Sequence, residues 1–156
     1  SNPSATAYEI GIPNKSIRAT KEYISDNLPA PSITLLDTRT HEEYAGRPGL
    51  GKDNSQSDIY RMGHIPGALH VPWDECAAAD GTFKTADELD RMYTEKNLTS
   101  NKEVIPYCRL GVRASYSWFT LKYLLGYHRV RTYDGSWTEW GNSIGVPIET
   151  GIAHDT

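Results

Sequence analysis

Residues 103–126 read EVIPYCRLGVRASYSWFTLKYLLG. Glu103 to Tyr107 is short and mostly apolar, which predicts a central strand, and Ala114 to Leu125 has the apolar spacing of an amphipathic helix ended by Gly126. Between them, Cys108-Arg109-Leu110-Gly111-Val112-Arg113 makes a tight loop. A thiol therefore stands at the carboxyl end of a strand and just before a helix, where α/β proteins place their ligands.

Outward from this unit, strands and helices alternate. Toward the N-terminus, Lys15 to Leu28 reads as helical, with Ile17, Tyr23, Ile24 and Leu28 as its buried side and Pro29 and Pro31 as breakers. Ile33 to Leu36 is a strand running into Asp37-Thr38-Arg39, and His41 to Ala45 is a helical turn. Gly46 to Asp58 is a polar surface loop. A short strand, Leu69 to Val71, is closed by Pro72, and a helix covers Thr85 to Lys96 with Thr85 as N-cap. The last strand, Val130 to Tyr133, opens onto Asp134-Gly135-Ser136-Trp137, with a final helical turn at Thr138 to Asn142 before Pro147. This order predicts an α/β fold, a three-layer sandwich with a mainly parallel central sheet and helices on both faces.

A chain of 156 residues suits one domain with a single core. The net charge of −4, with Lys and Arg scattered among Asp and Glu, offers no basic stripe, so nucleic acid is not expected as a partner. No apolar run approaches the roughly 20 residues that span a bilayer, and the start does not resemble a signal peptide, so no membrane is expected either. Cys76 and Cys108 lie far apart in unlike contexts, which favours a reducing, cytoplasmic compartment over a disulfide framework. The Ser1-Asn2 start reads as processed or recombinant: residues 1–14 are an N-terminal extension or remnant, 15–150 the domain, and 151–156 a tail. No His/Cys cluster has metal-ligand spacing, and nothing calls for a cofactor.

Three effects act on the sulfur of Cys108. Loop amides can form an anion cradle, the helix N-terminus adds about half a positive charge, and Arg109 and Arg113 add full charges. All favour thiolate, and Gly111 lets the loop turn tightly. Cys108 could instead be an inert buried cysteine, but an apolar site would not set two arginines beside it. Four residues separate Cys108 from Arg113, one fewer than in protein phosphatases, and the smaller ring suits a sulfur adduct.

At these residues the sequence resembles the rhodanese family, specifically the C-terminal catalytic domain of tandem-domain thiosulfate sulfurtransferases. The resemblance covers most of the chain and rests on Ser16-Ile17-Arg18-Ala19-Thr20, Leu35-Leu36-Asp37-Thr38-Arg39, Gly63-His64-Ile65-Pro66-Gly67-Ala68, the Cys108 loop, and Asp134-Gly135-Ser136-Trp137-Thr138-Glu139-Trp140. It implies that Cys108 attacks the outer sulfur of thiosulfate, releases sulfite, and passes the persulfide sulfur to cyanide or another thiophile in a ping-pong scheme. It makes Cys108 the catalytic residue and Arg109, Leu110, Gly111, Val112 and Arg113 the substrate-binding loop, with the amides doing most of the cradling. The partners implied are a small-molecule sulfur donor, a thiophilic acceptor and an upstream rhodanese domain of the same native protein.

Two positions depart from the mitochondrial thiosulfate enzyme. Leu110 stands where it has a Lys, and Glu43 falls where it has an anion-binding Arg; Arg113 is expected to supply the missing charge. Mercaptopyruvate sulfurtransferases carry Gly-Ser after the cysteine, unlike Arg109-Leu110, which favours thiosulfate as donor. Asp37 and Arg39 either support the loop from the neighbouring strand or form a structural ion pair near the sheet edge, and Trp137 either walls the pocket or packs in the core. His64 reads as a turn residue, Trp140 as core, and Cys76 as a thiol in a loop or turn without a basic neighbour. Two other classes remain open: a phosphatase or arsenate reductase of related fold, and a non-enzymatic rhodanese module whose persulfide forms without turning over.

Overall fold

Side-chain alternation along two adjacent strands divides the core in two. In the computed structural model, which describes residues 7, 9, 11–28, 32–47 and 59–151, β1 (Ile33–Asp37) and β3 (Glu103–Tyr107) pair in parallel. Ile33 lies opposite Glu103, and Asp37 opposite Tyr107. The two-residue β2 (Leu69–His70) pairs with the other side of β1, so the strand order is β2-β1-β3 and β1 is central.

Ile33, Leu35, Ile105 and Tyr107 join one buried cluster with Ile24 of α1 (Lys21–Asp26) and with Trp137 and Trp140 of the helix at Ser136–Trp140. Leu36 and Val104 turn the other way, toward Leu89 and Tyr93 of the helix at Ala86–Glu95 and toward Leu121. With α2 at His41–Ala45, these helices are α3 (Ala86–Glu95), α4 (Val112–Phe119) and α5 (Ser136–Trp140). Each fully buried aliphatic or aromatic side chain contributes about 1.5–3 kcal/mol. The expected three-layer α/β sandwich with a parallel sheet is what forms.

Several boundaries differ from the sequence expectation, each for a local reason. The helix expected over Lys15 to Leu28 divides into a 3-10 turn at Lys15–Ile17 and α1. Between them, the Ala19 N–H donates to the Thr132 carbonyl at 2.9 Å and the Thr132 N–H to the Ile17 carbonyl at 2.8 Å, while Thr20 caps α1 through the Tyr23 N–H. Ile17 is consequently exposed and Ile24 buried. Residues 29–31, including Pro29 and Pro31, lie outside the described residues, as do residues 48–58 of the expected polar loop, residues 1–6 of the extension and residues 152–156 of the tail.

Val130 to Tyr133 runs beside β3 but makes only isolated bridges, Val104 with Val130 and Arg18 with Thr132. On this side β3 presents Val104 and Pro106; Pro106 accepts from the Tyr133 N–H but has no N–H to return, so no regular ladder grows. The helix expected at Ala114 starts earlier, at Val112, and its last turn, Thr120–Leu124, widens into a π-turn in which the Leu125 N–H donates to the Thr120 carbonyl. Thr120 Oγ1 donates back to the Tyr116 carbonyl at 2.9 Å, one turn earlier. The final helical turn begins at Ser136 rather than Thr138. Thr85 caps α3 as expected, in a reciprocal box with Glu88.

Candidate active site

Cys108 is the residue after β3 and is 1% exposed. Its N–H donates to Ser136 Oγ at 3.1 Å, and Ser136 Oγ donates in turn to the Tyr133 carbonyl at 2.7 Å. The Cys108 carbonyl accepts from the Trp137 N–H at 2.9 Å. The Arg109 carbonyl accepts from both the Thr138 N–H, at 3.0 Å, and Thr138 Oγ1, at 2.9 Å. The first turn of α5 thus grips the start of the loop by four hydrogen bonds to two residues.

At the other end of the loop, the Gly111 N–H donates to Cys108 Sγ at 3.1 Å. Gly111 has φ +86°, and a Cβ there would meet the Asp134 carbonyl oxygen at 3.0 Å, so only glycine fits this turn without movement. Ser136 also lies in the left-handed region, at φ +52°, which is uncommon for a residue with a side chain. Gly111 takes its turn freely, whereas Ser136 is held by its contacts in a conformation that its own side chain disfavours.

Arg113, in the first turn of α4, is fixed from the opposite direction. Its Nη1 and Nη2 donate to Glu43 Oε2 at 2.7 Å and Oε1 at 2.8 Å, a two-pronged pair. Glu43 Oε2 also accepts the Thr40 N–H at 2.9 Å, closing a capping box on α2. Burial opposes the charge on Glu43, yet the Arg113 hydrogen bonds and charge and the Thr40 amide hold its carboxyl below the usual carboxylate range. For Arg113, burial likewise opposes the charge, and Glu43 together with the adjacent Cys108 sulfur carries its pKa upward. The cation expected to supply charge to a ligand is thus matched by a carboxylate. Leu110 and Val112 are exposed.

Asp37 and Arg39 form an ion pair at 2.5 Å, fully within the protein and at the end of the central strand rather than the sheet edge. Arg39 Nη2 also donates to the Gly63 carbonyl at 2.7 Å, and its guanidinium lies 4.4 Å from the centre of the Trp137 ring. The pair therefore reaches the loop through Trp137, whose N–H holds the Cys108 carbonyl. Trp137 and Trp140 are both buried. His64 exchanges two backbone hydrogen bonds with Glu149, and its Nδ1 lies 2.8 Å from the Tyr44 carbonyl, the arrangement of a tie between segments.

Cys76 closes a 3-10 turn, with Sγ 3.1 Å from Tyr93 Oη, and burial pushes its thiol up. A thiol so placed is a poor nucleophile. An aromatic groove of about 630 Å³, lined by Trp73, Phe83, Val112, Arg113, Tyr116 and Phe119 among others, begins where the loop enters α4. Among the described residues, no group of three His, Cys, Asp or Glu side chains could hold a metal ion, and no helix is long and apolar enough to cross a membrane.

Glu43, Ser136 and Thr138 are the residues that sequence reasoning did not assign as holders of this site. A profile of the Rhodanese-like domain matches residues 20–143. The chain belongs to the rhodanese family. It is 44% identical over 147 residues to the sulfur carrier protein TtuD of Thermus thermophilus, covering 92% of this chain and 52% of that protein. It is 45% identical over 119 residues to the thiosulfate sulfurtransferase of Corynebacterium glutamicum, covering 76% of this chain and 39% of the relative. This rhodanese chain thus spans about half the length, or less, of these curated relatives. Among solved structures it is similar to a variant of EanB with a cysteine persulfide in a tetrahedral intermediate state with ergothioneine, at TM-score 0.82 and 27% identity, covering 97% of this chain and 37% of that one.

Proposed function

We propose that this rhodanese chain is a sulfurtransferase that moves the sulfane sulfur of thiosulfate to cyanide or another thiophilic acceptor through a persulfide on Cys108. The Cys108 thiolate attacks the outer sulfur of thiosulfate; a new S–S bond forms, the old one breaks, and its electron pair leaves on sulfite. Cyanide then takes the outer sulfur as thiocyanate and returns the thiolate. No proton need move in either step.

The observation that carries the reading is the Gly111 N–H aimed at Cys108 Sγ from the N-terminus of α4. Such a donor strengthens as negative charge gathers on sulfur and needs no rearrangement to do so. Arg109 to Arg113 form the loop around a persulfide, while Asp37, Arg39 and Trp137 hold its base. With Cys108 only 1% exposed, a donor whose reacting atom is terminal, like the outer sulfur of thiosulfate, reaches it more readily than the central phosphorus of a phosphate ester. The two free cysteines suit a reducing, cytoplasmic setting, and a second domain of the native protein is the expected neighbour.

The test is the intact mass of the protein and of Cys108→Ser, before and after thiosulfate and then cyanide. Gain of one sulfur by the parent alone, removed by cyanide with thiocyanate formed, is expected. A reduced, accessible Cys108 that gains no sulfur refutes the reading. A second reading is favoured by the relative named as a sulfur carrier: the chain loads once and hands its sulfur to a partner. Stoichiometric loading without repeated thiocyanate release would select it.

A further inference from the structure

The pair between Glu43 and Arg113 has no counterpart in what the proposed chemistry needs. A thiolate that must meet an anionic donor gains from an unmatched cation at its side, and Arg113 is the cation set against the Cys108 sulfur. Yet both terminal nitrogens of its guanidinium are bound to the two oxygens of Glu43, at 2.7 and 2.8 Å. The carboxylate is itself buried to within 8% and anchored a second time by the Thr40 N–H, so it cannot swing aside at little cost. Asp37 likewise matches Arg39 beneath the loop.

From this geometry we infer that Glu43 is a specificity-determining residue, which narrows the advantage of the thiosulfate dianion at Cys108 and admits singly charged sulfane-sulfur compounds beside it. The inference rests on Cys108 being the sulfur acceptor. Glu43 touches no reacting atom; it acts by cancelling the charge of Arg113. A thiosulfonate or a small alkyl hydropersulfide carries one negative charge where thiosulfate carries two, and delivers the same sulfur. With methanethiosulfonate, the thiolate attacks the terminal sulfur, the S–S bond breaks, and its electron pair leaves on methanesulfinate. Charge balances at two negatives on each side.

Electrostatic work scales with the charge of the donor. If removing the Glu43 charge speeds a monoanion about threefold, it speeds a dianion by the square, about tenfold. The carboxylate's removal should therefore change the ratio between donors, which a purely structural role would not do.

The experiment compares kcat/KM for thiosulfate and methanethiosulfonate, with cyanide as acceptor, in the parent, Glu43→Gln, Arg113→Gln and the double variant. Glu43→Gln is expected to raise the thiosulfate value about tenfold, mainly through KM, and the methanethiosulfonate value about threefold, with the thiosulfate gain shrinking as salt is added. In the Arg113→Gln background, the Glu43 substitution should again raise thiosulfate relative to methanethiosulfonate, because the unmatched carboxylate repels the dianion more than the monoanion. Equal losses with both donors would overturn the inference and make the pair a positioning device. If Glu43→Gln does not fold, Arg113→Gln alone decides: with Glu43 left unmatched, thiosulfate must lose more than methanethiosulfonate, and equal losses again overturn it. Should neither donor sulfurate Cys108 in the parent, the sulfurtransferase reading falls first and this inference with it.

Discussion

Two glycines with similar backbones should respond to alanine very differently. Gly111 and Gly126 both lie at positive φ, +86° and +71°. An L side chain in that region costs roughly 1–2 kcal/mol, and at Gly126, where a Cβ would meet nothing within 4 Å, that is the whole cost. At Gly111 the Cβ would lie 3.0 Å from the Asp134 carbonyl oxygen and 3.1 Å from its Cα, both backbone atoms that cannot rotate away. Moving loop and strand end apart adds about 1–3 kcal/mol. The same movement draws the Gly111 N–H off Cys108 Sγ, now 3.1 Å away. A hydrogen bond to a charged group contributes about 1.5–3 kcal/mol, which as barrier is roughly a ten- to hundredfold slowing. Urea unfolding should therefore place Gly126→Ala about 1–2 kcal/mol below the parent and Gly111→Ala about 2–5. Time-resolved intact mass should show slow sulfur loading from thiosulfate in Gly111→Ala alone. Equal stability losses, or loading of Gly111→Ala at the parent rate, would refute the role given to this turn.

Ser136→Ala strands the Cys108 N–H and the Tyr133 carbonyl, both buried, at about 1–3 kcal/mol for each group, and should slow loading as well. Ser136→Gly loses the same hydroxyl but relieves the left-handed backbone, so urea unfolding should find it the milder variant by about 1 kcal/mol; the reverse order would contradict the strain assigned to φ +52°. Asp37→Asn leaves Arg39 charged and unmatched inside the protein and should cost about 3–5 kcal/mol; a loss under 1 kcal/mol by the same measurement would mean the pair is not holding the base of the loop. The lowered carboxyl of Glu43 makes its share of stability full above the ordinary value of 4.5 and lost as pH falls through the folded one. The gap in urea midpoint between the parent and Glu43→Gln should accordingly hold steady above pH 4.5 and narrow as the pH falls further, and a gap that does not narrow in acid would refute it.

The parts of the fold legible in the sequence are those decided by near neighbours. Glu103–Tyr107 has the strand bounds read from its apolar run, and Thr85 with Glu88 three residues on closes the cap that such spacing announces. What was not legible was decided at a distance. Lys15 to Leu28 has helical spacing throughout, and it breaks at Ala19 because that residue hydrogen-bonds to Thr132, a partner that no local pattern reveals. The Val130 to Tyr133 segment has strand composition but meets Pro106, which offers it only a carbonyl. Propensity describes a segment; pairing belongs to two.

The candidate site divides along the same line, with a consequence for how it works. The nucleophile, its turn glycine and its arginine are written within six residues, Cys108 to Arg113, and could be read together. Their holders are not: Ser136 reaches Cys108 across 28 residues and Glu43 reaches Arg113 across 70. Glu43 was noticed only as an absent cation, because its sequence position carries a sign but not a partner. Once Arg113 is known to be bound at both nitrogens, the charge of the loop can no longer be summed from its own residues. A loop that looks doubly cationic in sequence then presents to a donor one cation already matched by a carboxylate, beside its fixed dipoles. The Glu43 charge opposes a dianion about twice as strongly as a monoanion, so the residue least legible in the motif is the one that should shift the ratio between donors.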